Sequence, residues 1–439
     1  MTIEHHGPLA GVRVMDMTTA WAGPFGGRVL ACLGAEVIHI ESATRLDLWR
    51  GAGHGLDPIR YPDLDPGERP YNRTVLFNSQ NMNKLSLTVD VKKPGGRDVL
   101  LKLAAVSDVV LSNFTPGTLD RMGLGYDALK EVKPDIIVLE MPAFGNTGPM
   151  AHHGALGPGM EFSSGMSAFV GYESEGPMPT GPAYLDPIGG YNAAAAILTA
   201  LVCRQAAGQG QYIEMSQVEA AMPFIGELIL DSLETGVSPD AHGNRVAHAA
   251  PHDAYPALGI DTWVAIGVAS DDEWRKLAEM IGAPHLGIDE RYATKQARWK
   301  NQDELREPIS NWTRQITKHD AAARLQAAGI AAAPVQNGKD IVEDSYLSER
   351  GFFTTLDHPE AGRRTYQGLP FKLSLTPSGQ HRAAPCLGEH TEMILRDILH
   401  LSEADVAALE QSGTISNVPP GATPSAKVEK AKTSGGAKA

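Results

Sequence analysis

Cysteine is scarce in this chain: Cys32, Cys203 and Cys386 are the only three in 439 residues. They lie far apart and match no metal-ligand spacing, so neither a disulfide framework nor a zinc site is expected, and a reducing, cytoplasmic setting follows. Positive charge is also in short supply, with 38 Lys and Arg against 52 Asp and Glu and a formal net charge of −14. That balance argues against nucleic acid or an anionic membrane surface as partner. An anionic substrate must then be met by a few local groups. No uninterrupted apolar run reaches the roughly 18 residues of a membrane span, and the first residues lack the basic-then-apolar profile of a signal peptide. What remains is 42% hydrophobic and 21% charged. This is the composition of a globular enzyme, long enough for two or three domains.

The first 140 residues alternate between apolar runs and helical patterns. A strand is expected around Val12–Met17, then a helix from Phe25 to Leu33 stopped by Gly34, and a second strand over Val37–Ile40 ending at Glu41. An amphipathic helix from Pro94 to Ala105 is expected next, followed by strands at Asp108–Asn113 and Asp135–Leu139. Strand, helix, strand repeats build a parallel sheet covered on both faces, so the fold class is α/β, with a large Rossmann-like domain. An acid ending the second strand suits a dinucleotide site, but the turn after the first strand, Gly23-Pro24-Phe25-Gly26-Gly27, is not G-x-G-x-x-G. Pro24 stands where a phosphate would need a backbone N–H, which disfavours nicotinamide and flavin cofactors. His152 and His153 have no acidic or Cys partners at ligand spacing, which disfavours a metal there as well.

The stretch Tyr184-Leu185-Asp186-Pro187 opens an apolar, alanine-rich helix that Gly208 can close. Asp186 reads as its N-cap and Pro187 as its first residue, where a missing N–H costs nothing. A carboxylate there feels the positive helix end and is expected to stay ionised at neutral pH. Ser216 and Glu219 form a capping-box pattern for the next helix. Composition then shifts: residues 236–256 are rich in Gly, Pro, His and Asn, and a strand near Thr262–Val268 and helices from Ser270, Asp303 and Asp320 follow. Trp263, Trp274 and Trp312 are expected to fill the core of that segment. From Asn417 onward large apolar residues almost vanish, and a disordered tail is expected over 417–439.

Several segments, in order, resemble the class III CoA-transferases, the family of formyl-CoA transferase and carnitine CoA-transferase. The opening is Pro8-Leu9-x-Gly11-x-x-Val14-x-Asp16, with Ala22-Gly23-Pro24 and Leu33-Gly34-Ala35-Glu36-Val37-Ile38 after it. Asn83-Lys84-x-Ser86-x-x-x-Asp90, Asn113-Phe114-x-Pro116-Gly117 and Asp120-Arg121 follow. The Asp186 helix ends Arg204-x-x-x-Gly208-x-Gly210-Gln211, and Ala384-Pro385 and Gly388-Glu389-His390 come late. One departure is Ser42, where some members carry Arg directly after the acid that ends the second strand; Arg45 or Arg50 is the available substitute.

The resemblance implies a domain plan and a chemistry. Residues 1–235 would form the first part of a large CoA-binding domain, 236–345 a small α+β domain with linkers, and 346–416 a return segment completing the large one. It implies two ring-shaped chains passing through each other as an interlocked homodimer, with a homologous second subunit as the variant. Asp186 falls on the family's nucleophile. Arg121 falls on a phosphate-contacting position, and Asn83, Lys84 and Asn113 fall in segments lining the CoA groove. Trp21 occupies a position facing the acyl group, and Gly243–Ala250 is a candidate oxyanion loop. The substrates implied are an acyl-CoA and a carboxylic acid, with no cofactor beyond CoA itself. The Tyr-x-Asp-Pro form resembles branches using succinyl-CoA and dicarboxylates such as benzylsuccinate. Two rivals accompany this reading. Racemases of 2-methylacyl-CoA share the fold but use a His in a Gly-His-Asp stretch, where this chain has Ala155-Leu156-Gly157. A non-transferring CoA-binding subunit of a heteromer is the other, and it would have no need of Asp186.

Overall fold

The computed structural model describes residues 7–51, 60–172, 175–238 and 241–422. Six short strands make one parallel sheet, the first five largely buried and the last at an exposed edge: β1 (Arg13–Asp16), β2 (Glu36–Glu41), β3 (Leu85–Thr88), β4 (Val109–Ser112), β5 (Ile137–Glu140) and β6 (Tyr212–Glu214). Their spatial order is β3-β2-β1-β4-β5-β6. Alternation along each strand divides the core in two, as period-2 geometry requires. Met15, Ile38, Val110 and Val138 face one side, where Ile394, Leu395 and Leu409 from the end of the chain complete the packing. Val14, Val37, Val109 and Ile137 face the other, against the helices Ala22–Cys32 and Leu185–Ala207.

The Leu185–Ala207 helix is apolar and long enough, at 23 residues, to pass a length-and-composition test for a membrane span. Its buried positions Ala193, Ala194, Ile197 and Ala200 lie in the core on the sheet, so burial in protein accounts for the composition. The helix starts two residues earlier than the sequence suggests. Tyr184 stands at the cap position and Leu185 is the first helical residue, which puts Asp186 inside the first turn, not at the cap. Pro187 still costs nothing, because the first four helical N–H groups have no intrahelical partner.

The chain divides into two compact units: the first comprises residues 1–166, 179–230 and 351–439, and the second residues 167–178 and 231–350. The first unit also contains an antiparallel hairpin, β10 (Phe353–His358) with β11 (Gly362–Gln367). The second unit is built on an antiparallel sheet of β7 (His252–Pro256), β8 (Trp263–Gly267) and β9 (Ala331–Val335). Trp274 is fully buried at its centre and Trp312 packs on the rim, while Trp263 lies outside this core and donates its indole N–H to Asp261. The helix expected from Asp303 begins at Lys295, capped by Thr294, and runs through Pro308 to Thr313. From residue 423 the expected disordered tail lies outside the described residues.

Candidate active site

In a sheet of this order the strand connections reverse direction between β1 and β4, and the crevice beyond the carboxyl ends of the strands at that point is where open α/β sheets hold ligands. The residues that follow β1, β4 and β5 line a cavity of about 120 Å³ there: Thr19, Ala20, Asn113, Thr115, Pro142 and Ala143. Asp186 closes it, joined by Gln217 and by the 153–160 segment through His153, Leu156 and Met160. All of these belong to the first unit. Among the described residues, the cavity wall holds no Lys or Arg.

Local hydrogen bonds fix the wall. Asn113 clamps Thr19 from both ends, accepting from its N–H at 2.9 Å and donating to its carbonyl at 2.8 Å. The next residue, Ala20, adopts a left-handed φ of 63° and donates its N–H to Asp47 at 2.9 Å. This turn starts the Ala22–Cys32 helix, whose first backbone amide, that of Ala22, lies close enough to the Asp186 carboxylate to favour its charged form. Gln217 ties the opposite wall, donating from Nε2 to the Met141 carbonyl at 2.7 Å.

Burial pushes the Asp186 carboxyl up to about 6; the Ala22 amide works against that shift, and the negative charge of Glu161 adds to it. The sequence expectation rested on the helix dipole alone, a favourable effect of about 0.3–1 kcal/mol. Desolvation outweighs it here, so the direction is upward, although the group still ionises at pH 7. Space around the carboxylate is controlled by Gly157: a Cβ there would sit 2.1 Å from Asp186 Oδ2 and 2.4 Å from the Ala183 Cβ.

The other residues singled out from the sequence scatter. Asn113 lies in the cavity wall. Arg121 is exposed and donates to Thr118 Oγ1 at 2.7 Å, and Thr118 in turn pairs with the cavity-lining Thr115 at 3.2 Å. Arg121 therefore lies on a polar track leading out of the cavity. Trp21 does not line it; its ring packs on Trp49 at 5.2 Å. Lys84 is fully buried, and its three N–H bonds go to Asp16 at 2.7 Å and to Pro24 and Asn81 at 2.9 Å each, leaving none for a ligand. Burial alone would raise the Asp16 carboxyl, but Lys84 and His39 beside it hold it well below the usual range. Asn83 accepts from His381 and Arg382 and donates to Gly379, tying the late segment to the sheet. Arg50 is equally committed, bonded to Glu41, Tyr71, Asn72 and Pro385 in the interior, so it does not replace the Arg missing at Ser42. Gly243–Ala250 belongs to the second unit, where Gly243 N–H donates to Gly171.

Sequence reasoning missed Gly157, Glu161, Gln217, the Ala22 amide and the placement of His153 beside Asp186. The histidine alone carried a signal, as a titratable residue on a Gly-rich loop.

A parallel sheet with an isolated, desolvated carboxylate at its switch point suits acyl chemistry, and the whole chain matches known proteins that perform it. The model of CoA-transferase family III matches residues 9–391, and the chain belongs to that family. It is 32% identical over 409 residues to the succinyl-CoA–D-citramalate CoA-transferase of Chloroflexus aurantiacus, covering 93% of this chain and 98% of that one. Identity to the formyl-CoA:oxalate CoA-transferase of Streptomyces coelicolor is 31% over 422 residues, covering 93% of this chain and 99% of the relative. Among solved structures, a CaiB/BaiF family protein from Brucella suis superimposes with a TM-score of 0.81 at 29% identity, covering 90% of this chain and 100% of that one. The protein is thus a class III CoA-transferase, acting on an acyl-CoA and a carboxylate.

Proposed function

We propose that the protein moves CoA from a donor thioester to an acceptor carboxylate through covalent intermediates on Asp186, with succinyl-CoA as donor and a dicarboxylic acid as acceptor. The observation that carries this reading is the Asp186 carboxylate itself: half-buried, with no Lys or Arg on the cavity wall among the described residues, and favoured in its charged form by a backbone amide. A carboxylate stripped of water and of cations keeps its nucleophilicity. An Asp186 oxygen attacks the thioester carbonyl carbon, the C–S bond breaks, and a mixed anhydride and CoA thiolate result. The thiolate then attacks the Asp186 carbonyl carbon, releasing the donor acid as its carboxylate and leaving an aspartyl-CoA thioester. The acceptor carboxylate attacks that thioester, forming a second anhydride. The returning thiolate takes the acceptor's acyl carbon, and Asp186 is restored. The free energy of the thioester is carried through the anhydrides and the aspartyl-CoA thioester, so these steps draw on no nucleotide hydrolysis.

The donor assignment draws on the relative whose name includes succinyl-CoA, and on the Tyr-x-Asp-Pro form of the motif. Benzylsuccinate is one dicarboxylate of the class; an interlocked homodimer is the assembly this family membership supports. Incubation with acyl-CoA and no acceptor, followed by proteolysis and mass spectrometry, tests the reading. CoA or its hydroxylamine product should be found on Asp186 and on no other carboxylate. A covalent adduct elsewhere, or transfer without any adduct, would overturn it.

A second reading, racemisation, draws on one observation: His153 lines the same cavity as Asp186 and would supply a second proton-transfer group. Its position differs from the Gly-His-Asp stretch of the racemases, and Ala155, Leu156 and Gly157 stand where that stretch falls. In deuterated water the transferase reading requires no exchange at the α-carbon of a 2-methylacyl-CoA.

A further inference from the structure

Glu161 is the second carboxylate of the site, and nothing in the transfer steps above uses it. It lies on the helix Gly157–Ser164, one turn beyond Gly157 and fully buried. Position 157 and position 161 share a helix face. Through the first, the helix makes room for the Asp186 carboxylate; through the second, it grips the chain leading to Asp186. Glu161 Oε2 accepts the Thr180 N–H at 3.0 Å, and Oε1 accepts the Thr180 hydroxyl at 2.7 Å and the Tyr184 N–H at 2.5 Å. All three partners are donors, which suits an acceptor-only carboxylate. No Lys or Arg pairs with it among the described residues.

The two anchor points bracket a strained residue. Ala183 has φ of +53°, a left-handed conformation that costs a non-glycine residue free energy and persists only where its surroundings enforce it. Ala183 accepts the Asp186 N–H at 3.2 Å and so sets the first turn of the helix.

We propose that Glu161 is the positioning residue for Asp186: its buried carboxylate pins the Thr180–Tyr184 strap that holds Ala183 in place and so sets the start of the Asp186 helix. This rests on Asp186 being the covalent group. Among the described residues, Glu161 is the charged group that acts on Asp186; His153, from the loop before the same helix, lines the same cavity, and the Ala22, 113–115, 142–143 and Gln217 positions around it contribute amide, hydroxyl and apolar groups. The Glu161 charge opposes ionisation of Asp186, in the same direction as burial.

Glu161→Gln keeps the shape while removing the charge, and it turns an NH₂ toward a donor. The measurement is the rate of acyl-CoA-dependent labelling of Asp186, by rapid quench and mass spectrometry, as a function of pH. Loss of the neighbouring charge should move the acid limb of that profile down by about half a pH unit or more. Loosening of the strap should slow labelling by roughly 10- to 100-fold. Thr180→Val removes one strap hydrogen bond and keeps the charge, so labelling should slow while the acid limb stays in place. A merely structural Glu161 would lower thermal stability and leave both profiles where they are in the wild type, and that result overturns the proposal. Should Glu161→Gln not fold, wild-type labelling rates in Thr180→Val overturn it on their own. Absence of an Asp186 adduct in the wild-type control is a different failure, that of the nucleophile assignment, and is seen before any variant is compared.

Discussion

Asp186→Asn should make the protein more stable, and only above a defined pH. The Asp186 carboxyl is raised from its ordinary 3.8 to about 6 in the folded chain, chiefly by burial. For an acid shifted upward the folded state favours the protonated form. Its contribution to stability is full below the unfolded value and is lost as pH rises through the folded one. At about 1.36 kcal/mol per pH unit, the ionised group costs roughly 3 kcal/mol above pH 6. Asparagine carries no charge to desolvate and can still accept the Ala22 N–H. It forgoes the charge-assisted part of that bond, about 1 kcal/mol, so the net gain at pH 8 should be near 2 kcal/mol. By pH 5 about half of the ionisation penalty has gone, and below pH 4 nearly all of it. Urea unfolding of both proteins at pH 5 and pH 8, followed by tryptophan fluorescence, measures this directly. A gain that is equal at the two pH values would mean the charge is not what is being relieved. A loss of stability at pH 8 would mean that the carboxylate helps hold the helix start, as a cap would.

Arg121→Ala should weaken acyl-CoA binding by about 1.5–3 kcal/mol, the worth of a charge-assisted phosphate contact, in a calorimetric titration with CoA. The fold should survive, since Arg121 is exposed and bonded only within its own turn. Gly157→Ala should fold but lose transfer by roughly 100-fold, because the new methyl would lie 2.1 Å from Asp186 Oδ2 and must displace it. Steady-state transfer assays beside a thermal melt separate that loss from unfolding.

The parts of the fold that could be read from the sequence are those where one residue pattern decides one outcome. Val109-Val110-Leu111 and Ile137-Val138-Leu139 are buried on both faces, and only a central parallel strand makes use of such runs. Asp186 was found because it opens a helix in a recognisable series of motifs. Its environment was not legible, since desolvation depends on what packs above it: Gly157, Met160 and Glu161 lie more than twenty residues upstream. Lys84 and Arg50 show the limit of reading a cation as a ligand contact. Each is drawn inside by a carboxylate on the sheet, Asp16 for Lys84 and Glu41 for Arg50, and its donors are used up there. Asn113 and Arg121 follow directly after a strand that ends at the switch point, so the topology itself carries them toward the cavity.

The same topology explains why the site needs its glycines. Gly189 and Gly190 sit inside the Asp186 helix, where each costs roughly 1 kcal/mol relative to alanine. Such a pair persists where a backbone must come close. A Cβ at Gly190 would lie 2.7 Å from the Ala22 carbonyl and 3.0 Å from Gly26 N, and one at Gly26 would lie 3.0 Å from the Gly190 carbonyl. The two helices therefore meet backbone to backbone, one turn from the carboxylate. That approach brings the Ala22 amide near Asp186, so the group that favours its charge comes from the main chain and adds no formal charge. A side-chain cation in its place would quench the charge that attacks the thioester, while an amide orients an oxygen and leaves it reactive. The small residues that blur the helix pattern in the sequence are thus the ones that let a negatively charged protein keep an uncompensated carboxylate at the end of its sheet.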